Sequence, residues 1–98
     1  MRLPLVFHPD VAAETDAGYR WYESERAGLG SEFLDELARV LGNIESNTQL
    51  YGFSENDVRE GILRRFPHGV CHRVLKNRIR VLAVFRAARD QAVRLTRR

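Results

Sequence analysis

The sequence predicts an α+β domain of order β-α-α-β-β-β, an antiparallel sheet with an N-terminal helical hairpin packed on one face. Two helix-length segments between positions 11 and 47 are separated only by a glycine-rich turn, which predicts a hairpin. Three β-patterned runs between positions 58 and 86 are joined by short turns, which predicts a meander. A short apolar run ahead of Pro9 supplies one more strand, which must return to pair within that sheet, at its edge. The whole chain, 1–98, reads as a single domain, since this length supports one modest core.

The first strand is Leu3–Phe7, ended by Pro9. Asp10 is a good N-cap for a helix over Val11–Arg26, in which Val11, Thr15, Gly18, Tyr19 and Tyr22 share a face, with Glu14, Arg20 and Glu23 largely off it. Trp21 and Tyr22 are adjacent and cannot share that face, so Tyr22 is assigned to the core and Trp21 to the surface side. Gly28 and Gly30 break the helix; no strand precedes them, so they serve backbone conformation rather than phosphate binding. Ser31 caps a second helix through Asn47, where Phe33, Leu34, Leu37, Val40, Leu41 and Ile44 recur at 3.6-residue spacing. That apolar stripe is core.

Positions 48–57 are polar and turn-rich and read as a linker. Val58–Phe66 then alternates, with Ile62, Arg64 and Phe66 on one face and Leu63 and Arg65 on the other. Pro67-His68-Gly69 reads as a turn, Val70–Leu75 as a strand, Lys76-Asn77 as a hairpin loop, and 79–86 as the last strand. Strict alternation there places Ile79, Val81, Ala83 and Phe85 one way and Arg80, Leu82, Val84 and Arg86 the other. The sheet face away from the helices would then be concave, partly open and rich in arginine.

Composition and charge narrow the class of function. With 44% hydrophobic and 30% charged residues the chain is globular rather than disordered. No apolar run approaches the ~20 residues that span a bilayer, and Met1–Pro9 lacks the pattern of a secretory leader, so the expected location is the cytoplasm. Cys71, the only cysteine, reads as a small buried hydrophobe in a strand. No HExxH-like spacing occurs, so neither metal nor cofactor is expected.

The net charge of +3 conceals an asymmetry. Residues 1–56 hold four basic and ten acidic residues, a balance of −6, while residues 57–98 hold twelve basic and three acidic, a balance of +9. Any one arginine on a sheet face is ordinary solubilising charge. Together, Arg64, Arg65, Arg73, Arg80, Arg86 and Arg89 predict a surface for an anionic partner, either nucleic acid or an acidic protein segment. Few aromatic residues are interleaved with them, so base stacking along the strands is poorly supported.

One family is similar to this pattern over essentially the whole chain. Trp21-Tyr22-Glu23, Gly28-Leu29-Gly30, Phe33, Arg64-Arg65-Phe66-Pro67, Arg73-Val74 and Val81-Leu82-Ala83-Val84-Phe85 leading to Arg86 and Arg89 stand in an order that resembles the RelE/ParE superfamily of bacterial toxins. The first cluster looks most like the ParE branch. The resemblance implies the toxin of a toxin–antitoxin system, neutralised by a cognate antitoxin that wraps it. ParE-like members arrest growth by poisoning DNA gyrase, whereas RelE-like members cut messenger RNA on the ribosome. The chain departs from the usual ParE-like ending, in which a proline and a tryptophan follow the arginine pair; Asp90-Gln91 and Val93-Arg94 stand there instead.

Cleaving RNA needs a base, an acid and cations for the phosphorane charge. The RelE-like branch is expected to use a tyrosine near the C-terminus, and no tyrosine follows Tyr51. His72, with Arg64 and Arg86, is the substitute catalytic set, although a strand histidine is more often a core residue. His68, beside a turn proline, reads as a solvated loop residue. The sequence leaves three readings: a ParE-like gyrase inhibitor that acts by binding, a RelE-like endoribonuclease, and an inactive relative that binds only an antitoxin.

Overall fold

The stripe of the second helix is buried as its spacing predicts. In the computed structural model, which describes residues 3–86, Phe33, Leu37, Val40 and Ile44 are enclosed while Leu34 stays half-exposed at the margin. The elements run β1 (Leu5–Phe7), α1 (Val11–Glu25), α2 (Leu29–Ser46), β2 (Phe53–Glu55), β3 (Val58–Ile62), β4 (His68–Val74) and β5 (Ile79–Arg86). They form a helical hairpin on one five-stranded sheet of order β1-β5-β4-β3-β2. No helix among the described residues is long and apolar enough to cross a membrane.

The hairpin turn is tighter than expected. Ser31 is not the cap of α2; Gly28 is, at φ 89°, a left-handed conformation that costs glycine nothing. Gly30 lies inside the first turn of α2, where a Cβ would come within 2.8 Å of the Tyr19 carbonyl oxygen. Close approach, not helix breaking, is its role. The free amides of α2 are met from α1: the Glu23 carboxylate accepts the Gly28 N–H at 3.0 Å and the Gly30 N–H at 3.0 Å. A carboxylate at a helix N-terminus also complements the helix dipole. Glu23→Ala should therefore lower stability by about 1–2 kcal/mol, while Glu23→Gln, which keeps an acceptor, should lose less. Thermal melts of the two variants check this, and equal melting temperatures for Glu23→Ala and wild type would refute the capping role.

The sheet differs from the expected meander in four ways. β1 sits at the edge as expected but pairs parallel to β5, with Leu5, Val6 and Phe7 opposite Ile79, Arg80 and Val81, so the sheet is mixed. The segment read as a linker contains β2, a three-residue edge strand held where Arg59 donates to the Tyr51 carbonyl at 2.7 Å and lies over the Phe53 ring at 3.9 Å. β3 ends at Ile62 rather than Phe66; the chain turns at 63–67, with Arg65 at φ 69°, and β4 begins at His68. The turn therefore precedes His68 instead of containing it.

The fourth difference decides which way the arginines point. Cys71 pairs with Ala83 but His72 pairs with Val81, so Leu82 is an extra residue in β5 and strict alternation fails there. Ile79, Val81 and Val84 face the helices with Val70, Phe33, Val40 and Ile44. Leu82, Ala83 and Phe85 face the other way with Val58 and Cys71 in a second buried apolar cluster. The far face of the sheet is thus closed at its centre, not an open arginine surface. Cys71 is fully buried within it, as its strand position suggested.

Candidate functional site

The register places the predicted arginines in three separate locations. Arg64 and Arg65 lie exposed on the 63–67 turn, which is tied to α2. The Arg64 N–H donates to Glu36 Oε2 at 2.5 Å, and Arg65 Nη1 donates to Glu32 Oε1 at 3.1 Å. Glu36 is the anchor. Hydrogen bonds from the Arg39 guanidinium, with help from the Arg64 amide, hold its carboxyl down at about 2.

Arg73 and Arg80 stand opposite each other on the far face. Like charges in such register repel, and Asp57 offsets this by accepting from Arg73 at 2.7 and 2.9 Å. Arg86 is on the helix face, because the bulge reverses the alternation between Arg80 and Arg86. Arg89 lies outside the described residues. The arginines expected on one surface are therefore not brought together.

Both strand histidines are buried, for different reasons. His68 is not a solvated loop residue: it opens β4, is 7% exposed, and its Nδ1 is 2.9 Å from the Tyr22 hydroxyl. Its ring packs against Tyr22 and Phe33, with Phe66 completing an aromatic group. Tyr22 is core as assigned; burial pushes its hydroxyl pKa up, and the nearby Arg86 charge works against that rise. His72, the proton-transfer candidate, is 0% exposed, and neither ring nitrogen has a hydrogen-bond partner among the described residues. Burial, then the Arg59 charge, hold it down at about 4, so the ring is neutral at pH 7.

Two concave surfaces flank α1. One is an apolar groove of about 770 Å³ between β1 and the helical hairpin, lined by Phe7, Pro9, Val11, Ala12, Tyr19 and Leu34 among others. Phe7 is 44% exposed, and with the half-exposed Leu34 it leaves unusual apolar area in water. The other is a polar pocket where Trp21, His68 and Arg86 meet. Sequence reasoning missed both. The groove needs the packing of β1 on the hairpin, and the pocket needs the bulge that turns Arg86 toward α1. The available signals were Leu34 at the edge of the stripe and Trp21 off the core face.

No family model matches the chain, and no curated protein does. Among solved structures, it is similar to a chain of the "Chromosomal ParDE TA system from P. aeruginosa", with a TM-score of 0.72 and 22% sequence identity, over 87% of this chain and 96% of that one. The chain has a RelE/ParE-like fold. That fold accounts for most residues of the family pattern as architecture. Tyr22 and Phe33 are core, Glu23 caps α2, Gly28 and Gly30 shape the hairpin, and Arg64-Arg65 form the turn after β3. Trp21 is the exception. It is 48% exposed, and its ring lies under the Arg86 guanidinium at 5.3 Å.

Proposed function

We propose that the chain is a ParE-like toxin, the growth-arresting component of a cytoplasmic toxin–antitoxin pair, which inhibits DNA gyrase by binding and is neutralised by a cognate antitoxin. The observation that carries this reading is the shared fold with a chain of a ParDE system along nearly the full length of both. Two features of the chain support the gyrase branch over RNA cleavage. No tyrosine follows Tyr51 to serve as a late general acid or base. The substitute, His72, is fully buried and held neutral at pH 7 by burial and by the charge of Arg59 opposite it.

The antitoxin would place apolar anchors in the groove of Phe7, Tyr19 and Leu34 and acidic residues near Arg64, Arg65 and Arg86. Arg73, Arg80 and the tail from Arg89 onward remain for the target. Reversing Arg64 and Arg86 together to Glu should weaken the antitoxin complex, most strongly at low salt. An undiminished affinity at low salt would leave only the apolar contacts.

The activity is tested by pairing a gyrase supercoiling assay with a cleavage assay on translating ribosomes, both with purified protein. Inhibited supercoiling with intact message is expected. Cleaved message with untouched supercoiling would move the chain to the RelE-like branch, with His72, Arg64 and Arg86 as the residues to mutate. Silence in both assays with antitoxin still bound would identify an inactive, antitoxin-binding relative.

A further inference from the structure

The β2 edge of the sheet leaves apolar side chains in water and holds them in place. Phe53 is 60% exposed and Val74 of β4 is 39% exposed. Single exposed apolar residues need no explanation, but these two line one notch of about 230 Å³, with Thr48, Gln49, Asp57 and Arg59. That is below the roughly 300–1,000 Å³ of small-molecule pockets, and it suits one inserted side chain. Phe53 is preorganised to receive it. The Arg59 guanidinium lies over the Phe53 ring at 3.9 Å and is itself fixed by donating to the Tyr51 carbonyl at 2.7 Å. The Glu60 N–H donates to the Gly52 carbonyl at 3.1 Å, and Asn43 of α2 donates to the Tyr51 hydroxyl at 3.3 Å. An exposed aromatic ring that is already fixed loses little freedom when a partner covers it, which is what makes an interface anchor.

The notch has cations beside it. Lys76 and Arg78 stand exposed on the β4–β5 hairpin tip that follows Val74, a tip closed by the Leu75 N–H donating to the Arg78 carbonyl at 2.8 Å. Neither joins an ion pair among the described residues; Arg78 donates to the neighbouring Asn77 side chain at 3.0 Å. Lys76 is within about 7 Å of Val74 along the chain. A free anionic group seated at the notch therefore meets two cations with no acidic partner of their own. A protein segment suits this edge better than nucleic acid does. A base needs an open ring face with cations for its phosphate, whereas Arg59 already takes one face of Phe53, and Asp57 in the same wall would repel a phosphate.

We propose that this edge is the target-binding face, and that it takes an acidic protein segment with one apolar side chain seated between Phe53 and Val74 and its carboxylates against Lys76 and Arg78. The inference rests on the gyrase reading, which supplies the target. Because β1 and β2 are opposite edges of the sheet, this face does not overlap the antitoxin groove beside β1.

The probe is purified DNA gyrase, read by inhibition of supercoiling and by direct binding to the immobilised enzyme. Phe53→Ala should weaken binding by about tenfold or more, and Phe53→Leu should recover part of the loss. Lys76→Glu with Arg78→Glu should weaken it by about tenfold at low salt, with a smaller difference as salt rises. Arg20→Glu, a charge reversal on the exposed face of α1, should act as wild type. Circular dichroism confirms that each variant is folded, and all should keep the wild-type affinity for the cognate antitoxin. If folded Phe53→Ala and the double reversal inhibit gyrase as wild type does, the inference is overturned and the gyrase reading stands. A wild-type protein with no effect on supercoiling removes both. Antitoxin affinity lost in the same variants would give this edge to the antitoxin instead. Binding to a duplex oligonucleotide alone, abolished by the double reversal and untouched by Phe53→Ala, would make it a nucleic-acid face; either result overturns the proposal.

Discussion

Leu37→Asp should abolish cooperative folding. Leu37 is 5% exposed at the centre of the α2 stripe, in the cluster that joins both helices to β4 and β5. Losing a buried leucine side chain costs about 2–5 kcal/mol. Enclosing a carboxyl with no partner adds several more, whether it stays charged or takes up a proton. Against a total stability of roughly 5–15 kcal/mol for an ordinary domain, the sum is enough to unfold the chain. Leu34→Asp on the same helix is the control, because Leu34 is 36% exposed at the groove margin. It should melt within a few degrees of wild type while weakening any antitoxin seated in the groove. A Leu37→Asp protein with native circular dichroism and an unchanged melting temperature would overturn the packing of α2 described above.

What could be read from the residues follows from how much each element depends on local physics. The helices were legible because their apolar positions recur along one stripe and the intervening glycines have few other uses; both ended within a residue or two of expectation. Edge placement of β1 was legible from topology, but its direction was not, since three residues carry no signal of parallel or antiparallel pairing. β2 was invisible for a related reason: its stability comes from Arg59 reaching the Tyr51 carbonyl and the Phe53 ring, contacts that polar composition does not announce.

The faces of β5 were the consequential failure. Period-two reasoning needs a polar face to set the phase, and Val81–Phe85 is apolar throughout because both faces of this strand are buried. Leu82 could therefore be inserted without any mark in the sequence. Its bulge sends Arg86 to the helix side while Arg80 stays on the far side, which divides the expected arginine surface and builds the Trp21 pocket instead. The same limit applied to His68. Pro67 suggested a turn centred on it, but its hydrogen bond to Tyr22 spans 46 positions and no local pattern predicts it.

The pH dependence of stability should bear the mark of His72. In the folded chain its pKa is held at about 4, against an ordinary value of 6.5, with burial as the main cause and the Arg59 guanidinium, on the residue facing it across β3–β4, as the second. Between those two values the unfolded chain binds a proton that the folded chain refuses. Stability therefore rises with pH across this window: the full value is present above pH 6.5, it declines as pH falls toward 4, and below that the His72 contribution stays lost. The gap corresponds to about 3 kcal/mol, a large share of a domain's total. Glu36, held near 2 by Arg39, acts lower, losing its contribution only as pH falls below 4.5. Denaturant titrations between pH 4.5 and 6.5 thus avoid the Glu36 range, and comparison with a His72 variant picks out the histidine. His72→Leu should flatten the curve in that range. It should also be neutral or stabilising at pH 7, since it replaces a buried ring with no hydrogen-bond partners among the described residues by an apolar group of similar size. Parallel curves for the variant and wild type would mean that His72 takes up its proton in the folded chain, and with it regains the accessibility that a proton-transfer role demands.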